Sequence, residues 1–300
     1  MKSRNKWIRL GAPVAAAAAT GAVAVAFAAT SPDGSSHEAS RPVGTAGKPR
    51  EAVPTGVVGN PSDPATWKLP IETYMVTPAE ARLISGSRDS LIDKCMAEAG
   101  FEQWVSAPDL PEVAGSTLTD WRYGIHDAEA AAKHGYHPDP AQQQAYDEAM
   151  SAGAVDKSGA DDGALRRCVE SVDSKAPIAQ PSSLVQSINN GSYKAAERSP
   201  GVVKVFAQWS ACMKAKGYSY AKPMDANEDP RFGQPNRVTK LEIETAVADV
   251  ACRDRYQVEK VWFDTEVGLQ QKEIAKDRAQ LDAVQATNRS AVAKASALAK

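Results

Sequence analysis

Cys95-Met96-Ala97-Glu98-Ala99-Gly100-Phe101 and Cys212-Met213-Lys214-Ala215-Lys216-Gly217-Tyr218 share the pattern C-M-x3-G-aromatic, and a further aromatic follows each, Trp104 or Tyr220. In both, glycine stands where a left-handed residue closes a helix, and the aromatic after it can fold back on the last turn. The two stretches therefore read as copies of one helix end. Each is followed by one more cysteine in a helical pattern, Cys168 and Cys252. Four cysteines in an oxidising compartment most simply make two disulfides, with three connectivities open to them. The repeat favours Cys95 with Cys168 and Cys212 with Cys252, each bond tying a helix end to the next cysteine-bearing helix. On the chain-entropy argument, loops this long make each bond worth roughly 3 to 4.5 kcal/mol. C-x-x-C is absent, and cysteines so dispersed make a poor zinc signature.

Around these cysteines the chain reads as helices. Thr77-Pro78-Ala79-Glu80 combines a capping hydroxyl, a proline at the first helical position and a carboxylate three residues after the cap. A helix is expected from there toward Gly100, with Gly86 a candidate interruption. Asp139-Pro140-Ala141-Gln142 repeats the signal, and Leu165, Cys168, Val169 and Val172 mark one face of a further helix. Ser199-Pro200 opens a helix through Val202, Val205, Phe206, Trp209 and Met213 that stops at Gly217. Thr239-Lys240-Leu241-Glu242 opens the longest, which could run to near Lys300. Sustained alternation of apolar and polar residues is missing, so the expected fold is mainly α: a disulfide-stapled helical body with a long C-terminal helix.

The first 28 residues hold Lys2, Arg4, Lys6 and Arg9, no acid, and an apolar run starting at Leu10. With Ala24-Val25-Ala26 and Ala26-Phe27-Ala28 as cleavage patterns, they read as a signal peptide or a signal anchor. Residues 29–66, dense in Ser, Pro, Gly and Thr, are expected to be a disordered tether, because so few large apolar groups cannot offset the entropy of ordering. Residues 67–268 form the expected helical body. Residues 269–300 read as an extended C-terminal helix whose stripe thins to Ile274, Leu281 and Val284 beyond Gly268. These three are candidate partner contacts, although a coiled coil is only weakly specified by them. The whole-chain charge is −2, and without the four leader basics the remainder is more acidic still. A mildly acidic body lacks the basic patch that nucleic acid demands.

The paired C-M-x3-G-[FY] segments, Arg122-Tyr123-Gly124 followed by Gly135-Tyr136-His137, and the charged C-terminal helix resemble a group of exported envelope proteins of high-GC Gram-positive bacteria. The resemblance covers roughly residues 70 to 285. It implies an extracytoplasmic protein with no established enzymatic activity, sometimes encoded beside export pumps and their wall-binding adaptors. It transfers no catalytic residue to this chain.

His126, His134 and His137 fall within twelve residues, beside Asp127, Glu129 and Asp139, and are candidate zinc or copper ligands. Gly135 and Pro138 interrupt any helix there, so the spacing alone fixes no geometry. Asp225-x-Asn227-x-Asp229 imitates the start of a calcium loop, but Pro230 replaces the turn glycine and the twelfth position is Asn236 rather than glutamate. No G-x-S-x-G, H-E-x-x-H, Walker or G-x-G-x-x-G motif is present, though a Ser/His/Asp set could assemble in space. Trp209 and Trp262 lie on apolar helix faces and are expected in the core, whereas Trp67 and Trp121 lie in connecting segments and are candidates for a glycan or peptide groove. The expected role is a non-catalytic envelope protein that needs no cofactor and contacts another envelope protein, the cell wall or export-pump subunits. A metal-assisted hydrolase using the His126 to His137 region and a glycan or small-ligand binder are the alternatives.

Overall fold

The structure, a computed structural model, describes residues 52–160, 162–234 and 237–299. The leader, residues 29–51 of the tether and Asn236 of the calcium-like loop lie outside the described residues. Ten α-helices appear among those described: α1 (Pro78–Glu98), α2 (Ala128–His134), α3 (Pro140–Ala152), α4 (Asp162–Asp173), α5 (Ser183–Glu197), α6 (Pro200–Ala215), α7 (Pro223–Asn227), α8 (Lys240–Tyr256), α9 (Val258–Lys276) and α10 (Arg278–Leu298). Two short strands, β1 (Trp104–Val105) and β2 (Val155–Asp156), pair antiparallel.

The helix starts follow their local chemistry. Thr77 accepts the Glu80 amide while the Glu80 carboxylate accepts the Thr77 amide at 2.8 Å, and Thr239 and Glu242 make the same reciprocal box at the start of α8. Asp139 accepts the amides of Ala141 and Gln142, with Pro140 already fixed for the first turn. Gly86 does not interrupt α1.

The repeated helix end has one geometry in both copies. Gly100 and Gly217 have φ of +92° and +93°. The Phe101 amide donates to the Met96 carbonyl at 2.9 Å and Gly100 to Ala97 at 3.0 Å; Tyr218 donates to Met213 and Gly217 to Lys214, both at 3.0 Å. These bonds satisfy carbonyls that a helix end otherwise leaves orphaned. The cap also turns Met96 and Met213 fully inward. One turn before each cap a cysteine bridges to the following helix: Cys95 to Cys168 and Cys212 to Cys252.

Two hydrophobic clusters result among the described residues. The larger gathers Trp209, Val205 and Phe206 from α6, Val250 and Cys252 from α8, Trp262 and Phe263 from α9, and Trp67, Ile71, Tyr74 and Tyr123 from the connecting segments. The smaller holds Ile92, Met96, Ala164, Cys168, Val172 and Ala176, where α4 packs on α1. Each cluster contains one disulfide.

The structure departs from the sequence-based expectation in three places. The last helix is three helices, broken at Gln257, which is left-handed with φ +52°, and at Asp277; Gly268 sits inside α9. Ile274 and Leu281, expected as partner contacts, are fully buried in this chain's own core, with Val284 packed against them, because α10 folds back along α1 and the Pro70–Tyr74 turn. Finally, the chain from Ala52 to Thr66 docks instead of forming a free tether. Val57 pairs with Lys68, and the Pro54 and Ala52 carbonyls accept from Gln271 and Arg278. Val53 and Val58 supply enough apolar surface to hold this stretch against the core.

Candidate functional site

Glu242, Asp249 and Arg253 stand seven and four residues apart on α8, and Glu259, Glu266 and Gln270 repeat that spacing on α9. Such spacing keeps each set on one helix face. That face points into the protein: five of the six are fully buried and Glu259 is 6% exposed. Buried charge is tolerated only where partners surround it, and the partners come from the segment between β1 and α3.

Arg122 donates from Nε and Nη2 to the two oxygens of Glu266 at 3.0 and 2.5 Å, and its guanidinium lies over the Tyr193 ring at 4.9 Å. The Tyr123 hydroxyl donates to Glu266 at 2.8 Å. Gln270 donates to the same carboxylate at 3.0 Å and accepts the Ile71 amide at 3.1 Å. Gly124, at φ +107°, leaves room for the Arg253 guanidinium, which donates to the Tyr123 carbonyl, to Asp249 at 2.6 Å and to Glu259 at 3.3 Å. Asp249 also accepts from Trp209 Nε1 at 2.8 Å and from the Tyr136 hydroxyl at 3.1 Å. Gly135, at φ +63°, brings its backbone against Glu242, which accepts the Tyr136 amide at 3.1 Å and pairs with His137 Nδ1 at 2.6 Å. All six residues of the Arg122-Tyr123-Gly124 and Gly135-Tyr136-His137 segments thus meet this double ladder. Burial, then the Glu266 charge, pushes the Tyr123 hydroxyl far above its ordinary range, and burial with Asp249 does the same to Tyr136. Burial raises the Glu259 carboxyl against the pull of Arg253.

The outer side of the same segment forms a cleft of about 500 Å³ lined by Asp120, Trp121, His126, His134, His137 and Asp139, among others. The structure therefore brings the three histidines to one cleft, but each engages its own partner. His126 Nε2 meets Asp120 Oδ1 at 2.7 Å, His134 Nε2 lies 3.6 Å from Asp139, and the second nitrogen of His137 faces the Gln234 carbonyl at 3.0 Å. Among the described residues no three His, Cys, Asp or Glu side chains group as a metal site. Ser116 donates its hydroxyl to Asp120 Oδ2 at 3.2 Å. The carboxylate thus stands between serine and imidazole, whereas a nucleophilic serine must face the imidazole directly.

No protein-family model, curated protein or solved structure matches this chain.

The other candidates resolve into structural roles. Asp229 accepts from Arg231 and from the Tyr220 hydroxyl, and Asp225 from the Lys222 amide, so the calcium-like carboxylates act as caps and ion-pair partners. Arg231 holds the Asp229 carboxyl well below the usual carboxylate range. Trp67 is 2% exposed and packs tilted against Phe263 at 5.0 Å, so it belongs to the core and only its edge borders a cleft beside Pro64 and His126. Trp121 is half-buried and lines the cleft. The ladder itself carried a readable signal in the repeated seven-and-four spacing of Glu242, Asp249 and Arg253 with Glu259, Glu266 and Gln270.

Proposed function

We propose that this is a non-catalytic extracytoplasmic protein whose helical body acts by presenting a surface to an envelope partner. The observation that carries the reading is the complete use of both Arg122-Tyr123-Gly124 and Gly135-Tyr136-His137 in holding the fold, which leaves the reactive side chain types of this region in structural pairs. The two disulfides fit an oxidising compartment. Among the described residues no helix is long and apolar enough to cross a membrane, so the N-terminal segment, as signal peptide or anchor, is the proposed membrane connection. The partner is an envelope protein, the wall or a subunit of an export system. The half-buried Trp121 beside the acid-lined cleft favours a second reading, a small-ligand or glycan binder, because an aromatic wall with polar neighbours suits a sugar or a cationic group. A metal-assisted hydrolase draws less support, since it needs ligands that converge.

Zinc dialysis of the untagged protein, with His126→Ala and His137→Ala beside the parent, separates these readings. The proposal expects no stoichiometric zinc in any of the three. Tight zinc in the parent that both variants lose would replace the proposal with the hydrolase. Crosslinking in the native envelope should recover a defined partner, and loss of that partner in a Trp121→Ala variant would locate the contact at the cleft.

A further inference from the structure

α3 contains no buried residue, so it is held by its ends and not by a packed face. At its start, Asp139 caps the helix and the His137–Glu242 contact ties the preceding turn to α8. After its end, β2 pairs with β1, and the chain enters α4. Pro140, Gln143 and Asp147 of α3 form one wall of a second cleft of about 570 Å³, whose other side includes His137, Pro138 and Val238. The position of that wall therefore depends on how firmly β1, β2 and α4 are fastened.

Their fastening is slight apart from one covalent bond. The cluster beneath α4 has six buried members, two of them alanines, against the far larger main core. Arg88 pairs with Asp173, and Asp93 accepts from Ser106 at 2.9 and 2.7 Å. Both disulfides have one half-buried sulfur-bearing residue, Cys95 or Cys212, and one fully buried, Cys168 or Cys252, so exposure does not separate them. Their surroundings do. Cys252 is enclosed by the main core, where the neighbouring Asp249 is locked to Trp209 and Arg253. Cys168 lies in the small cluster, and local opening costs less where fewer buried contacts are lost.

We propose that the Cys95–Cys168 disulfide is a redox-addressable clamp that sets the position of α3 and so the width of the cleft it walls. The reductant is a dithiol, small or protein-borne. One of its thiolates attacks the Cys95 sulfur, forming a mixed disulfide and releasing the Cys168 thiolate, which takes up a proton. The second thiol loses its proton and attacks its own partner sulfur, releasing Cys95 as the other thiol. Two electrons pass to the protein, and the dithiol leaves as a disulfide. The main core stays closed around Cys212–Cys252 throughout.

The test is graded dithiothreitol on the folded protein, quenched by alkylation and mapped by peptide, with amide exchange read on the same samples. Cys95–Cys168 should open roughly tenfold or more faster than Cys212–Cys252. Once only the first is open, amides of residues 140–176 should lose protection while α6, α8 and α9 keep theirs. A Cys95→Ser/Cys168→Ser variant should show the same loosened exchange with a cooperative melt retained. Equal opening rates, protection that persists in α3 or α4 after selective reduction, or loss of the whole fold in the variant would each overturn the clamp.

Discussion

Replacing Gly124 with alanine tests the buried ladder at its tightest point. An added Cβ would lie 2.5 Å from Arg253 Nη1 and 2.7 Å from Cζ, and the backbone there has φ +107°. The conformation alone costs a non-glycine residue about 1–3 kcal/mol. The guanidinium has no room to retreat, because Arg253 is fully buried and bound to Asp249, Glu259 and the Tyr123 carbonyl. Making space means breaking those pairs and stranding carboxylates in the core, which costs about 3–5 kcal/mol for a buried pair. The two together amount to about 4–8 kcal/mol, a large part of the 5–15 kcal/mol that holds a typical domain together, and a fall in Tm of roughly 10–30 °C. Urea melts by circular dichroism, with the disulfides intact, would measure it. Gly217→Ala is the control: its φ is +93° but nothing lies within 4 Å of the new Cβ, so only about 1–2 kcal/mol of backbone strain is expected. If Gly124→Ala falls within about 1 kcal/mol of that control, the guanidinium is not lodged against the Gly124 backbone and the ladder argument fails.

Three further outcomes are expected. Gly268→Ala should stabilise the protein by up to about 1 kcal/mol in the same melts, because Gly268 lies inside α9 with open space around it; destabilisation would mean that α9 breaks there. Leu281→Ala should cost about 2–5 kcal/mol, and deleting residues 278–300 should abolish the cooperative melt, since α10 covers Ile274 and donates from Asn288 to the Tyr74 carbonyl; a truncated protein that melts like the parent would return α10 to the role of a free arm. The depressed Asp229 carboxyl contributes stability that is complete above about pH 4, its ordinary range, and is lost as the pH falls through the lower folded value. An Asp229→Asn variant should therefore lose stability at neutral pH and show a shallower acid-side slope in a pH series of melts, and an unchanged slope would mean that other carboxylates set it.

Much of the helical frame was legible because its signals are local. Thr77 with Glu80, Asp139 with Pro140, and Thr239 with Glu242 each announce a helix start within four residues, and Gly100 and Gly217 announce two ends. The cysteine pairing was legible for the related reason that the repeat placed Cys95 and Cys212 in the same position of the same motif. The breaks at Gln257 and Asp277 were not, because neither residue carries glycine's conformational freedom or proline's missing amide, whereas Gly268 invited a break that helix packing does not require. α5 was missed as well: Ser182 opens it without a side-chain cap bond, and it is held by packing on α9.

The site was legible in composition and not in arrangement. His126, His134 and His137 do share a cleft, but sequence separation says nothing about Glu242, which claims His137 from 105 residues away, or about Asp120, which claims His126 from the near side. Residue type alone hides the ladder, since Glu266, Asp249 and Arg253 look like surface residues when only their type is considered. Their spacing says otherwise. Asp249 and Arg253 fall in register with Ala246, Val250 and Cys252, and Glu266 and Gln270 with Trp262, Phe263 and Ile274, all of them buried. A charge repeated at core positions must either have a partner waiting or unfold the helix that carries it. Arg122, Tyr123, Tyr136 and His137 are those partners, and Gly124 and Gly135 are glycines because the charged groups occupy the space that a side chain would fill.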